Sequence, residues 1–424
     1  MVETVENVLD TVMISSSSLL STNERRRNRF VPISLMLLNY AICCITDMHS
    51  KAAVYVAATR QHVGKTSTCL GLLQGLTNRC KRIGFLKPVG QQSVVLENNL
   101  RVDKDVVVAK EIFGLPTCEY SDMSPIVIPP GYTKQYLDGK IMLETQLQQI
   151  KKSFKRIAEK NDFTLVEGTG HTGVGSIVNI NNARIAAELG IDIILIANGG
   201  IGSSFDDLAL NYHMCKAYGV QVRGVILNKV FPAKVDMIWE YFPRALAEWK
   251  VPLIGVVPNL PSIARSSMLD FEGLFKTELL SGHARRVQKY YRVSLVTSGL
   301  RRFLVKLSSN LFDDTLFVTH ASRNDIILGF LSHAQNYEFK TGKCFTGGLV
   351  LTGVPPVDQP QNYIMDIIQQ SSAPVLYAPM ETVKAMELIT QHTAKFSAND
   401  RDRVLECAKH YEKFLDFNII LQNK

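Results

Sequence analysis

The chain of 424 residues is long enough for two or three domains, each able to bury a core, so a single small module is excluded. Its 46% hydrophobic and 20% charged residues are ordinary globular usage, which sets aside collagen-like, coiled-coil and disordered classes. A net charge of +8, with Lys and Arg dispersed apart from Arg25, Arg26, Arg27 and Arg29, gives no electrostatic footprint for a nucleic-acid partner.

Residues 1–47 contain the run Ser15 to Ser18 and no hydrophobic periodicity, and read as a disordered leader or an upstream extension of the gene model. The Arg cluster followed by the apolar stretch Val31 to Ile45 has the layout of a targeting segment, so organelle import is a second reading; Glu3, Glu6 and Asp10 upstream argue against it. Broken by Pro32 and Asn39, that stretch falls short of the roughly 20 residues of a membrane-spanning helix, and no membrane partner is expected. Eight scattered Cys without a C-x-x-C pair fit a reducing, cytoplasmic setting.

From residue 52 onward, strand-like apolar runs at 52–57, 83–87, 163–167, 191–197, 222–228 and 252–257 alternate with helix-length segments, the rhythm of an α/β domain with a parallel sheet between helical layers. Leu143, Leu147, Ile150, Phe154 and Ile157, three or four apart, predict an amphipathic helix over 143–160. The turn-rich Pro258-Asn259-Leu260-Pro261-Ser262 marks a boundary, giving a first domain over 48–262 and a linker over 263–284. A smaller α/β domain over 285–395 follows, with strands at 293–297, 315–319, 348–352 and 374–377 and helices at 324–333, 361–371 and 380–391. In the segment 396–424, Val404, Ala408, Tyr411 and Leu415 share one helical face that should pack back on the body.

The sharpest local signal is Ala58-Thr59-Arg60-Gln61-His62-Val63-Gly64-Lys65-Thr66-Ser67, between the first strand and an apolar helix. A strand, a loop ending in Gly-Lys-Thr and a helix make a phosphate site: loop amides face the anion, Lys65 reaches the outer phosphates, and the Thr66 hydroxyl ligates Mg²⁺. The usual leading glycine is replaced by Ala58 or Thr59, whose methyl group is expected to crowd the backbone. Lys87 stands at the carboxyl edge of the second strand, able to touch a phosphate or a substrate carboxylate. Asp103 and Asp105 precede a helix, and either could complete a Mg²⁺ shell or cap that helix. Glu167 ends a buried strand before the glycine-rich turn Gly168-Thr169-Gly170, where nucleotide enzymes place an acid for Mg²⁺. Asn228 ends a later strand with an amide suited to a purine edge.

Together, Val63-Gly64-Lys65-Thr66, Lys87-Pro88-Val89, Asp105, Glu167-Gly168-Thr169-Gly170 and Asn228-Lys229 resemble the dethiobiotin synthetase-like family of P-loop proteins. The stretch from Glu167 to Lys229, with Asn198-Gly199-Gly200-Ile201-Gly202, looks more like the N-terminal region of long phosphotransacetylases, and residues 285–395 look like the DRTGG domain that follows there. The resemblance implies a parallel sheet of about seven strands, a homo-oligomer, and ATP or a related nucleotide with Mg²⁺ as cofactors. It places Val63, Gly64, Lys65, Thr66, Ser67, Gly168 and Asn228 on the nucleotide and Thr66, Asp105 and Glu167 on the metal. Lys65 and Lys87 would be the catalytic pair if the protein is enzymatic. Departures stand beside it: Thr59-Arg60-Gln61-His62 lacks the acids of the synthetase loop, and the signature of the second domain is changed to Ser322-Arg323 and Thr352-Gly353-Val354.

Three functions follow from these motifs. The first is a Mg-ATP-binding regulatory or sensor protein whose second domain takes a small-molecule effector or mediates assembly, with a separate phosphotransacetylase as a candidate partner. The second is an ATP-dependent carboxylate or carbamate ligase, and the third a non-catalytic scaffold. The chain ends at Lys424 without an acetyltransferase domain, so acetyl transfer by this chain alone is not expected.

Overall fold

The computed structural model describes residues 52–309 and 312–422. The leader and import readings of residues 1–47 lie outside the described residues. Six parallel strands, β1 (Ala53–Ala58), β2 (Ile83–Leu86), β3 (Phe163–His171), β4 (Ile193–Asn198), β5 (Val222–Val230) and β6 (Leu253–Pro258), form one sheet in the order β6-β5-β4-β1-β3-β2. One strand fewer is described than the seven of the resemblance. Every residue of central β1 is buried, as expected for a strand covered by helices on both faces.

The helices of eight residues or more in this part are α1 (Lys65–Thr77), α2 (Lys104–Phe113), α3 (Leu143–Lys160), α4 (Asn182–Leu189), α5 (Gly202–Ala217) and α6 (Val235–Leu246). In α3 the predicted face holds, with Leu147, Ile150 and Ile157 buried. The third strand does not stop at Glu167 as its apolar run suggests; it continues to His171. Pairing with β1 resumes at Ala58 and His171 after a bulge, and Asn182 at the start of α4 ties the bulged segment: its Oδ1 accepts from Thr169 N at 3.0 Å and its Nδ2 donates to Thr169 O at 2.9 Å.

A second sheet has the order β7-β11-β10-β9-β8, from β7 (Leu279–Ser281), β8 (Arg292–Leu295), β9 (Thr315–His320), β10 (Gly348–Thr352) and β11 (Val375–Ala378); β7 is antiparallel to β11 and the other pairs are parallel. Its helices are α7 (Met268–Phe275), α8 (Leu300–Leu307), α9 (Asn324–Thr341), α10 (Asn362–Gln369) and α11 (Thr382–Gln391). Residues 263–284, read from sequence as a linker, therefore carry α7 and β7. An eight-residue helix and a three-residue strand have too few periodic positions to stand out, and only the capping box of Ser267 and Asp270 marks the start of α7.

The chain then returns to the first sheet as α12 (Arg401–Glu412) and α13 (Phe417–Leu421). Val404, Ala408, Tyr411 and Leu415 join the hydrophobic cluster that contains Leu70 and Leu73 of α1, so the shared face read from the sequence is the packed one. No described helix is long and apolar enough to cross a membrane. The six described cysteines are free thiols.

Candidate functional site

The loop after β1 is held at its two ends and open between them. Thr59 N donates to Ile196 O at 2.8 Å, and Thr68 N donates to Gly64 O at 3.0 Å, the first turn of α1. Between these points, the amides from Arg60 to Ser67 meet no acceptor among the described residues. The loop carbonyls are held instead: Asn228 Nδ2 donates to Val63 O at 2.8 Å and Lys229 Nζ to His62 O at 2.6 Å. A run of free N–H groups at the N-terminus of a 13-residue helix is an anion cradle.

Backbone conformation corrects one expectation about this loop. The left-handed residues are His62, φ 60°, and Gly64, φ 95°; Ala58 and Thr59 are not among them. The missing leading glycine therefore imposes no strain, while Gly64 is required, because an added Cβ would lie 2.2 Å from Asn228 Nδ2. Asn228 itself is fully buried against the loop, its Nδ2 donating to Val63 O and its Oδ1 accepting from Lys229 N. Its amide holds the loop at Val63. Gly168 likewise allows close packing, since a Cβ there would lie 2.6 Å from Asn182 Oδ1 and 2.7 Å from Tyr55 Cε1. Arg60, which replaces an acid of the synthetase pattern, is paired with Asp207 on α5 at 2.6 Å.

Below the cradle, the remaining sequence-derived residues converge. Thr66 Oγ1 lies 3.1 Å from Glu167 Oε1 and 3.5 Å from Asp105 Oδ2. Lys87 Nζ donates to Glu167 Oε1 at 3.1 Å, is hydrogen-bonded to Asp105 Oδ2, and stands 3.9 Å from Asp103 Oδ1. Lys65 Nζ reaches Gly170 O at 3.4 Å. Of the two aspartates left open by the sequence, Asp103 is the cap of α2, accepting from Asp105 N at 3.0 Å, and Asp105 enters the cluster.

Electrostatics follow from burial and charge. Burial and then the neighbouring Lys87 push the Lys65 ammonium down to about 8. Burial works against the charged form of Lys87, yet Asp105, Glu167 and Asp103 together hold it well above the ordinary lysine value. Burial raises the Asp105 carboxyl, but Lys87 and Lys104 outweigh it and hold the group below the usual range. Burial dominates at Glu167, whose carboxyl is raised despite Lys87.

The cluster fits a magnesium ion. Glu167 is 1% exposed, and its Oε2 is buried without a hydrogen-bond partner although Oε1 meets Thr66 and Lys87. An orphaned carboxylate oxygen beside a hydroxyl and a second carboxylate offers the hard-oxygen donors Mg²⁺ takes, with waters and phosphates supplying the rest. No group of three or more His, Cys, Asp or Glu side chains able to hold a metal occurs among the described residues, which sets this oxygen set apart from an all-protein metal cage.

Sequence reading missed the supports of this site: Asn182 under Gly168, Lys229 on the loop carbonyl, and α12 against α1. Cys407 Sγ of α12 lies 3.8 Å from Ser67 O, next to Thr66. The signal for that contact was present as Gly71 and Gly75, four apart on one face of α1, where a second helix can come close.

The chain is 24% identical over 382 residues to a phosphate acetyltransferase of Nitratidesulfovibrio vulgaris, covering 86% of this chain and 50% of that protein. It thus spans about half the length of the phosphate acetyltransferases it matches. It is 26% identical over 219 residues to the ATP-dependent dethiobiotin synthetase BioD of Clostridium perfringens, covering 50% of this chain and 92% of that protein. Among solved structures, the MinD cell division protein of Aquifex aeolicus covers 50% of this chain and 84% of its own at 13% identity, with a TM-score of 0.31. Residues 52–267, half of the chain, match the family model described as AAA domain, and the chain belongs to that family, AAA_26.

Proposed function

We propose that this protein binds Mg-ATP, or a related nucleotide, at the loop 59–67 and uses it to regulate rather than to make a bond. The observation that carries the reading is the run of unpartnered amides from Arg60 to Ser67 directly above the Thr66, Asp105 and Glu167 oxygens. The amides would take the phosphate oxygens, Lys65 would neutralise the outer phosphates, and Thr66, Asp105 and Glu167 would hold the metal. Magnesium, when bound, supplies charge neutralisation between the phosphates. Lys87 keeps the two carboxylates in place: it separates like charges that would otherwise repel.

A regulatory role is supported by connectivity. The second sheet lies between α6 and α12 in the chain, and α12 returns to pack on α1, touching Ser67. Arg403 of α12 pairs with Asp270 of α7 at 2.8 Å, so the same helix contacts the phosphate-loop helix and the second sheet's first helix. A change in the second domain, which we take as DRTGG-like, would reach the loop through this helix.

Calorimetry of ATP with and without Mg²⁺ tests the reading. Wild type should bind, Lys65→Ala should lose binding by more than about tenfold, and Glu167→Gln should lose the gain from Mg²⁺ while keeping Mg²⁺-free binding. Absence of binding by wild type overturns the proposal and leaves the scaffold. Phosphate release dependent on an added carboxylate and bicarbonate replaces regulation with the ligase.

A further inference from the structure

A cleft of about 970 Å³ opens between α2 of the first sheet and the α7 and α11 side of the second, and the phosphate loop reaches it at His62. Its walls are largely apolar: Val94, Val107 and Val108 on one side, Leu274, Leu388 and Phe396 on the other. Three acids line it: two are ion-paired within the fold and the third is hydrogen-bonded. Asp270 and Asp400 lie 2.8 Å from Arg403 nitrogens, and Glu111 accepts from the Tyr120 hydroxyl at 3.3 Å. His392 is engaged with Ser266 Oγ at 3.0 Å. Two cations, Lys104 and Lys395, line the cleft and form no ion pair within 4 Å among the described residues, although Asp105 and Asp103 act on Lys104 from beyond that distance.

We propose that this cleft binds a small amphipathic organic anion, its acidic group held by Lys104 and Lys395 and its apolar body against the valine and leucine walls. The size is that of a small-molecule site, with apolar lining and few charged anchors. The exposed Lys395 acts on the half-buried Lys104 as a like charge, and an acidic group between them offsets both better than a neutral one. Only the name effector rests on the regulatory reading above. Asp400, which lines the cleft, also caps α12, the helix on the phosphate loop's own helix, so an occupant would touch the connection between the two parts.

The test uses the full chain with 8-anilinonaphthalene-1-sulfonate as a fluorescent amphipathic anion. Wild type should bind one probe saturably, hexanoate should displace it, and hexanol at equal concentration should not. Lys104→Gln with Lys395→Gln should weaken probe binding by about tenfold or more. Gly273→Leu, at a helical position with nothing within 4 Å of an added Cβ, should fill the cleft and weaken binding comparably. Matched melting curves show that both variants fold. Probe binding insensitive to both variants, with ATP binding intact, overturns the cleft assignment. Lysine-dependent probe binding in a wild type that does not bind ATP overturns the nucleotide reading and leaves the cleft site standing.

Discussion

Tyr411 lies across Gly71: a Cβ built on that glycine would fall 2.3 Å from the Tyr411 Cβ and 3.3 Å from the backbone of Glu412. Phe417 stands in the same relation to Gly75, with ring atoms from 1.9 Å. The helix that follows the phosphate loop thus lacks side chains where the C-terminal helices cross it. Contact there is between backbones and a buried tyrosine, with little slack for either helix to shift alone.

Gly71→Ala should destabilise the protein although it places a better helix former in a helix. The propensity gain is about 1 kcal/mol. The clash with Tyr411 and the Glu412 backbone forces α1 and α12 apart and costs about 1–3 kcal/mol beyond that gain. Gly273→Ala, in α7 with open space around it, should instead stabilise by about 0.5–1 kcal/mol. Urea unfolding midpoints of the two variants should move in opposite directions; a stabilised Gly71→Ala would show that α12 does not pack as described.

Legibility in the sequence divides along the range of the interactions. Strands such as 52–57 and the loop through Lys65 and Thr66 are local patterns, and they appear where expected. Asp105 and Glu167 could be named from their places at strand and helix ends, and they meet Thr66. The contact of Asn228 with the Val63 carbonyl could not, because an amide at a strand end carries no sign of which loop it meets. The strand beyond Glu167 resumes its pairing with β1 past a bulge tied by Asn182, which no local periodicity carries; the packing face of α12 was periodic, but its partner α1, more than 300 positions upstream, was not readable from it. Short elements such as β7 fell below what periodicity can show.

Lys65 should make the nucleotide-free protein more stable as pH rises from 8 toward 10. Its folded-state value of about 8 lies below the ordinary 10.5. In that window the unfolded chain keeps a proton that the folded chain has lost, so stability climbs with pH. The full shift corresponds to about 3 kcal/mol, and the side chain's remaining solvent contact reduces this to about 2 kcal/mol. Lys65→Met removes the term. Unfolding free energies at pH 7 and pH 10 should therefore differ less in the variant, which should also be the more stable of the two at pH 7. Equal pH dependence in both would refute the assignment of Lys65 as a strained, buried cation.

Arg403 is 1% exposed and stands 2.8 Å from both Asp270 Oδ2 and Asp400 Oδ2. Arg403→Met keeps much of the volume and leaves two buried carboxylates without their cation, a change that costs about 3–5 kcal/mol. Thermal unfolding at pH 7 checks this: the variant should melt well below wild type. Matched melting would mean that the aspartates are solvated without the arginine.

Nucleotide binding should take up a proton near pH 8. Without a ligand, Lys65 at that pH is divided about equally between its charged and neutral forms, since its value is about 8. A phosphate group beside it favours the charged form and raises the value, so the complex holds the proton that the free protein had partly released. At pH 8 the uptake should be about half a proton per nucleotide, falling toward zero at pH 6.5, where Lys65 is already charged. Calorimetry in Tris and in Hepes, whose ionisation enthalpies differ, reads this directly as a buffer-dependent binding heat. Heats independent of buffer at pH 8 would mean that the phosphates do not sit against Lys65, and Lys65→Met, if it still binds weakly, should lose the buffer dependence at pH 8.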